Sequence, residues 1–157
     1  MMDLLLKLWK ALGLSKLLQL RVIRLLEDQF LVGVTGVIFT SDEKILLLKH
    51  TYRKVAWSLP GGYIKAKEHP KEALEREIEE ETGLVISADV RYKIRTDRDT
   101  ARLDIVYVGV LIGGTFKASS EVSEYGLFTI DTLPQIRKDQ LILIEKIMRE
   151  RKEGTLE

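Results

Sequence analysis

Five glutamates crowd into seven residues of this chain: Glu75, Glu77, Glu79, Glu80 and Glu81. Helical spacing sorts them. Glu77 lies three residues from Glu80 and four from Glu81, so these three share one face, while Glu75 and Glu79 form an offset pair. Like charges at such spacings repel by about 0.2–0.5 kcal/mol per pair on an exposed helix. Arg76 and the nearby lysines offset only part of this. Such a cluster is either a solvated face or a set of ligands for a cation. Carboxylate oxygens at this density suit a hard divalent ion, Mg²⁺ or Mn²⁺, which binds through a few carboxylates and keeps several waters. With His50 and His69 the only histidines and no cysteine at all, zinc is a poor candidate. Thiol catalysis and disulfides are excluded. Just upstream, Gly61-Gly62 lacks side chains, so its backbone can approach the same site closely.

The surrounding elements must hold these groups. Pro70 suits the first turn of a helix, and Gly83 suits its end, which predicts a helix from Pro70 to Thr82. Phe30–Thr40 is β-branched and apolar and reads as a buried strand. The polar turn Ser41–Lys44 returns it as a second strand, Ile45–Lys49, giving a hairpin. Tyr63–Lys65 reads as a short extended piece. Val85–Arg95, Leu103–Ile112 and Tyr125–Ile130 read as further strands, with a charged loop over Thr96–Arg102 and a turn at Gly113-Gly114. Arg137–Arg151 reads as a closing amphipathic helix with Leu141, Ile144, Ile147 and Met148 inward. Mixed strands flanked by helices imply an α/β or α+β fold.

The spacing of the whole acidic segment separates the two readings of the glutamates. It runs Gly62, five residues, Glu68, seven residues, then Arg76-Glu77-Ile78-Glu79-Glu80-Glu81-Thr82-Gly83-Leu84. This resembles the Nudix box at each of its defining positions, and Trp57-Ser58-Leu59-Pro60-Gly61 resembles the usual lead-in. The resemblance implies the Nudix fold, a mixed β-sheet sandwiched between helices, over residues 30–151. It also implies a pyrophosphohydrolase that cleaves a phosphoanhydride bond of a nucleoside diphosphate linked to another group, using Mg²⁺ or Mn²⁺. By the same resemblance Glu77, Glu80 and Glu81 are metal ligands, or ligands and a water-activating base. A carbonyl of Gly61 or Gly62 joins the metal shell, Arg76 orients a catalytic glutamate, and Glu68 is a structural or auxiliary metal partner. A further glutamate is expected after the box: Glu121 first, Glu124 second.

Candidate substrate contacts are Arg53, Trp57, Tyr63 and Arg98, with Tyr52, Phe116, Arg95 and Arg102 as further stacking or phosphate-binding groups. His50 and His69 read as ordinary polar residues. Substrate identity is less legible. The proline that ADP-ribose enzymes of the superfamily carry about fifteen residues past the box is absent, since Pro60, Pro70 and Pro134 are the only prolines. The tyrosine of dinucleoside polyphosphate enzymes is replaced by Thr100 and Ala101. Nucleoside triphosphates and nucleotide sugars remain. A competing expectation is a Nudix-fold module that binds a nucleotide without cleaving it; such proteins lose box glutamates, and all are present here.

The chain has 157 residues, 45% of them hydrophobic, enough for one domain with its own core. With 25 basic and 24 acidic side chains it carries no field suited to a nucleic-acid backbone. The absence of cysteine fits a cytoplasmic setting. Residues 1–28 lie outside the resemblance and read as an amphipathic helical extension to a domain at 29–157. Basic residues interrupt every apolar stretch there, so neither a membrane span nor a signal peptide is expected. Gly13-Leu14-Ser15 divides the segment, with Ser15 the N-cap of its second helix. The extension could pack on its own domain, pair two copies in a homodimer, or rest on anionic lipid with Trp9 at the boundary.

Overall fold

The computed structural model describes residue 13 and residues 15–97 and 100–156. The first helical piece with Trp9, and Arg98, lie outside the described residues. The described residues fall into two units, one ending at Phe30 and the other beginning at Leu31. In the first, helix α1 spans Lys16–Leu26, and Ser15 caps it as expected, its hydroxyl accepting from the Leu18 N–H at 3.4 Å. No helix among the described residues is long and apolar enough to cross a membrane.

The second unit is built on a seven-stranded mixed sheet: β1 Leu31–Phe39, β2 Ile45–His50, β3 Trp57–Ser58, β4 Gly61–Tyr63, β5 Leu84–Asp97, β6 Arg102–Gly114 and β7 Val122–Phe128. Its main path runs β3-β2-β1-β6-β5, with β4 on β1 and β7 on β2. Helix α2, Pro70–Thr82, and helix α3, Lys138–Glu153, complete it. β1 is buried on both faces because its side chains alternate. Val34 and Ile38 join α2 residues Ala73, Leu74 and Ile78 in one core; Val37 and Phe39 join α3 residues Leu143, Ile144 and Ile147 in another. The sheet is thus sandwiched between helices. Leu74 is fully buried. Leu74→Ala is expected to cost about 2–5 kcal/mol, read from denaturant unfolding.

The expected hairpin of the first two strands is present but short, and two other expectations are corrected. The first two strands meet as a hairpin only at Phe39 and Ile45; beyond that, β1 pairs in parallel with β6 over its whole length and antiparallel with β4 at Gly33–Thr35. Gly113-Gly114 does not turn the chain. Both stay in β6 opposite Val85 and Leu84, so the strands run past the expected glycine break and also shorten the loop predicted over Thr96–Arg102. On α3, Leu143 rather than Leu141 is fully buried, because the face turned to the sheet runs Gln140, Leu143, Ile144 and Ile147 at three- and four-residue spacing.

Candidate active site

Helix α2 is capped at both ends by its own sequence. His69 Nδ1 accepts from the Lys71 N–H at 3.2 Å, Glu72 accepts from the His69 N–H at 3.2 Å, and Pro70 opens the first turn. Gly83 closes it at φ 70°, the left-handed conformation in which a side chain is strained. Ala73, Leu74, Ile78 and Thr82 are buried, which leaves Glu77, Glu80 and Glu81 together on the side away from the core. Glu75 lies apart from them and accepts from the Ala88 N–H of β5 at 3.0 Å.

Arg76 is the hub of the acidic group. Its Nη1 donates to Glu77 Oε1 at 2.8 Å and to Glu80 Oε2 at 2.9 Å. Nε and Nη2 grip the two oxygens of Glu68 at 2.5 and 3.0 Å, and Nη2 also reaches the Tyr63 carbonyl at 3.3 Å. Such forked, charge-assisted contacts fix both partners. They hold the Glu68 carboxyl at about 2, well below its ordinary value of 4.5, with Arg76 the first cause and the Lys65 N–H the second. Both Glu68 oxygens are therefore committed inside the protein, which favours its structural role over that of a metal ligand. Arg76 likewise keeps Glu80 below the usual carboxylate range.

Glu81 behaves oppositely. Burial first, then the charges of Glu121 and Glu77, raise its carboxyl to about 7; Arg53 opposes this. Glu121 thus acts on Glu81 through its charge, from a loop tied to Thr51, just past β2, whose N–H donates to the Glu121 carbonyl at 3.0 Å. Glu124 points elsewhere, paired with Lys49 at 2.8 Å. Among the described residues no three acidic or imidazole side chains are already drawn into a closed metal cage; Glu77 and Glu80 turn to Arg76 instead. The donor set nevertheless fits a hard divalent ion. It is all oxygen, and Glu81 sits half-buried within reach of the like charges of Glu121, Glu77 and Glu80. A Cβ on Gly62 would stand 2.5 Å from Cγ and Cδ of Glu77, so the glycine makes room for that side chain.

On the other face of the sheet, beside Gly61, opens a cleft of about 980 Å³. Its floor includes Asp104, which is buried and meets three donors: the Thr35 hydroxyl, 2.9 and 3.1 Å from its two oxygens, Arg95 at 2.6 Å and Arg102 at 3.0 Å. Arg102 fits because Gly33 has no Cβ, which would fall 2.5 Å from its Nη2. Arg53 lines the cleft and donates to Ser58 Oγ at 2.9 Å. Its charge also acts on Glu81, opposing the rise of that carboxyl. The other candidate contacts are placed differently. Trp57 is half-buried edge-on to Phe128 at 5.2 Å and does not line the cleft. Tyr63 is exposed, its ring 5.0 Å from the Arg102 guanidinium. Sequence reading missed Thr35, Asp104 and Gln140; a charged residue inside the apolar run Leu103–Gly109 was the available signal for Asp104.

Carboxylates gathered on one helix face, with a partly basic cleft nearby, fit the pattern of a metal-assisted hydrolase acting on an anionic substrate. The family profile described as NUDIX domain matches residues 29–148. The chain belongs to the NUDIX family and is a hydrolase acting on phosphoanhydrides. It is similar to an ADP-ribose pyrophosphatase of Methanocaldococcus jannaschii, 36% identical over 124 residues covering 75% of this chain and 73% of that one. Among solved structures, an ADP-ribose pyrophosphatase of Streptococcus suis superposes with a TM-score of 0.65 at 29% identity, covering 77% of this chain and 93% of that one. A UDP-X diphosphatase superposes with a TM-score of 0.68 at 25% identity, covering 88% and 73%. NUDIX hydrolases generally use divalent metal ions.

Proposed function

We propose that this enzyme hydrolyses a nucleoside diphosphate joined to a sugar or similar group, cutting between the two phosphates. The single observation that carries the reading is that Gly61 and Arg53 line a cleft of about 980 Å³ while Gly61 adjoins the box and the charge of Arg53 acts on Glu81. That volume lies at the upper end of small-ligand sites and suits a nucleoside with a second moiety. Two relatives with ADP-ribose names favour ADP-ribose; the missing proline weighs against it. The class is therefore nucleotide sugars rather than one compound. Residues 29–157 are read as the catalytic domain and residues 1–28 as an extension to it.

Glu77, Glu80 and Glu81, with a carbonyl of Gly61 or Gly62, would hold Mg²⁺ or Mn²⁺. When bound, the ion neutralises phosphate charge and lowers the pKa of a coordinated water. Arg76 keeps Glu77 and Glu80 in fixed positions, itself anchored by Glu68. Arg53 faces the diphosphate from the cleft side. Glu81, or Glu121 beside it, takes the proton from the attacking water, and general-base assistance of this kind contributes about 10²–10⁴-fold.

Incubating the protein with Mg²⁺ or Mn²⁺ and a panel of ADP-ribose, UDP-glucose, GDP-glucose and nucleoside triphosphates tests this. Nucleotide sugars should yield nucleoside monophosphate and sugar phosphate, and chelation should stop the reaction. Absence of turnover on every compound with either ion would sink the reading.

A further inference from the structure

The cleft is lined by four buried polar side chains: Thr35, Ser58, Asp104 and Gln140. Three of them are engaged within the protein. The Thr35 hydroxyl donates to Asp104, Asp104 also accepts from Arg95 and Arg102, and Ser58 Oγ accepts from Arg53. Gln140, only 8% exposed, differs. Its Oε1 accepts from the Leu59 N–H at 3.1 Å. A backbone N–H can be met only by the amide oxygen, so this bond fixes which way the carboxamide lies. Nε2 then carries two N–H groups that donate to nothing among the described residues. Nor is it sealed inside the protein as an orphaned atom, so the cleft is where it opens. The carboxamide is also held stiffly: Leu59 is 3% exposed and the Gln140 N–H is bonded to the Arg137 carbonyl at 3.0 Å in the first turn of α3.

A rigid group that can only donate discriminates between ligand atoms that accept and those that donate. Phosphates suit the guanidinium groups that line the cleft, and sugar hydroxyls both donate and accept, so neither would be sorted by it. A nucleobase edge has a fixed pattern. Val55, lining the same cleft, supplies apolar wall for a flat ring. We propose that Gln140 selects the nucleobase by donating from Nε2 to a base carbonyl, as guanine and uracil present where adenine and cytosine present an amino group. This rests on the reading of the cleft as the nucleotide site. Donor against donor leaves two polar groups unpaired, which costs more than a missing bond and makes the discrimination steep.

Calorimetric titration of the full-length protein in EDTA tests this without turnover. UDP-glucose is compared with CDP-glucose, and GDP-glucose with ADP-glucose. In the wild type the carbonyl base of each pair should bind on the order of tenfold tighter. Gln140→Glu still accepts from the Leu59 N–H but presents only acceptors, so it should reverse both preferences. Gln140→Met, of similar shape, should level them. Thermal melts establish that each variant is folded. Equal ratios in all three proteins, or no binding of any of the four, would overturn the proposal. Base-selective binding without Mg²⁺-dependent hydrolysis would leave it standing while overturning the hydrolytic reading.

Discussion

Replacing Glu81 by glutamine is expected to lower turnover by about 10²–10⁴-fold while raising the melting temperature of the metal-free protein at pH 8. The two effects share a cause. In the metal-free fold Glu81 is half-buried among Glu77, Glu80 and Glu121, and its carboxyl is raised from 4.5 to about 7. A carboxyl with a raised folded pKa favours the folded state below its unfolded value, and that contribution is lost as pH rises through the folded one. Between about pH 4.5 and 7 the wild type therefore loses stability that the uncharged variant keeps. Complete burial would make this about 3 kcal/mol; solvent access reduces it to about 1–2 kcal/mol, or roughly 2–8 °C in a domain of this size. Scanning calorimetry at pH 5 and pH 8 in EDTA reads it: the variant should gain at pH 8 and match the wild type at pH 5. Mg²⁺ should stabilise the wild type and leave the variant nearly unmoved. Wild-type turnover in the variant, or an unchanged melting difference between the two pH values, would remove Glu81 from the site.

Gly62→Ala is expected to cut turnover by about 10²-fold with little loss of fold. The new methyl would stand 2.5 Å from two carbons of Glu77. Gly62 does not have the left-handed backbone that would make any side chain strained, so the damage is confined to this collision. Glu77 is linked through Arg76 to both Glu68 and Glu80, so moving one carboxylate disturbs the others. Misplacing a catalytic group by an ångström can cost about this much rate. Steady-state kinetics beside a thermal melt separate the outcomes: kcat should fall while the melting temperature stays within a few degrees. A large drop in melting temperature with kcat preserved would mean that Gly62 serves the fold alone.

The parts of this molecule that local chemistry decides were legible beforehand. Pro70 and Gly83 bound α2 as expected, since one fits a first turn and the other a left-handed cap. The sorting of the glutamates follows from helical geometry, and the structure keeps Glu75 apart, bonded to β5. What was not legible depends on distant pairings. Gly113-Gly114 looks like a turn until Leu84 and Val85 are found opposite it. Trp57 looked like a stacking group because nothing local announced Phe128. Glu121 was placed ahead of Glu124 only by its position before the last strand; the pairing of Glu124 with Lys49, across the β2–β7 ladder, was not legible. Gln140 drew no notice, since a glutamine early in an amphipathic helix looks ordinary until Leu59 orients it.

The parallel pairing of β1 with β6 has a kinetic consequence. Leu31 lies opposite Arg102 and Phe39 opposite Val110, so every rung of that ladder closes a loop of about 70 residues. The loop contains the whole box, α2 and β5. Loops of this length close late and slow the search for the native state, because their entropy must be spent before any contact repays it. The acidic helix can form early from its own caps, but its neighbours across the sheet arrive only with that closure. A nascent or partly folded chain therefore carries the glutamates without the pocket that gives them something to cleave.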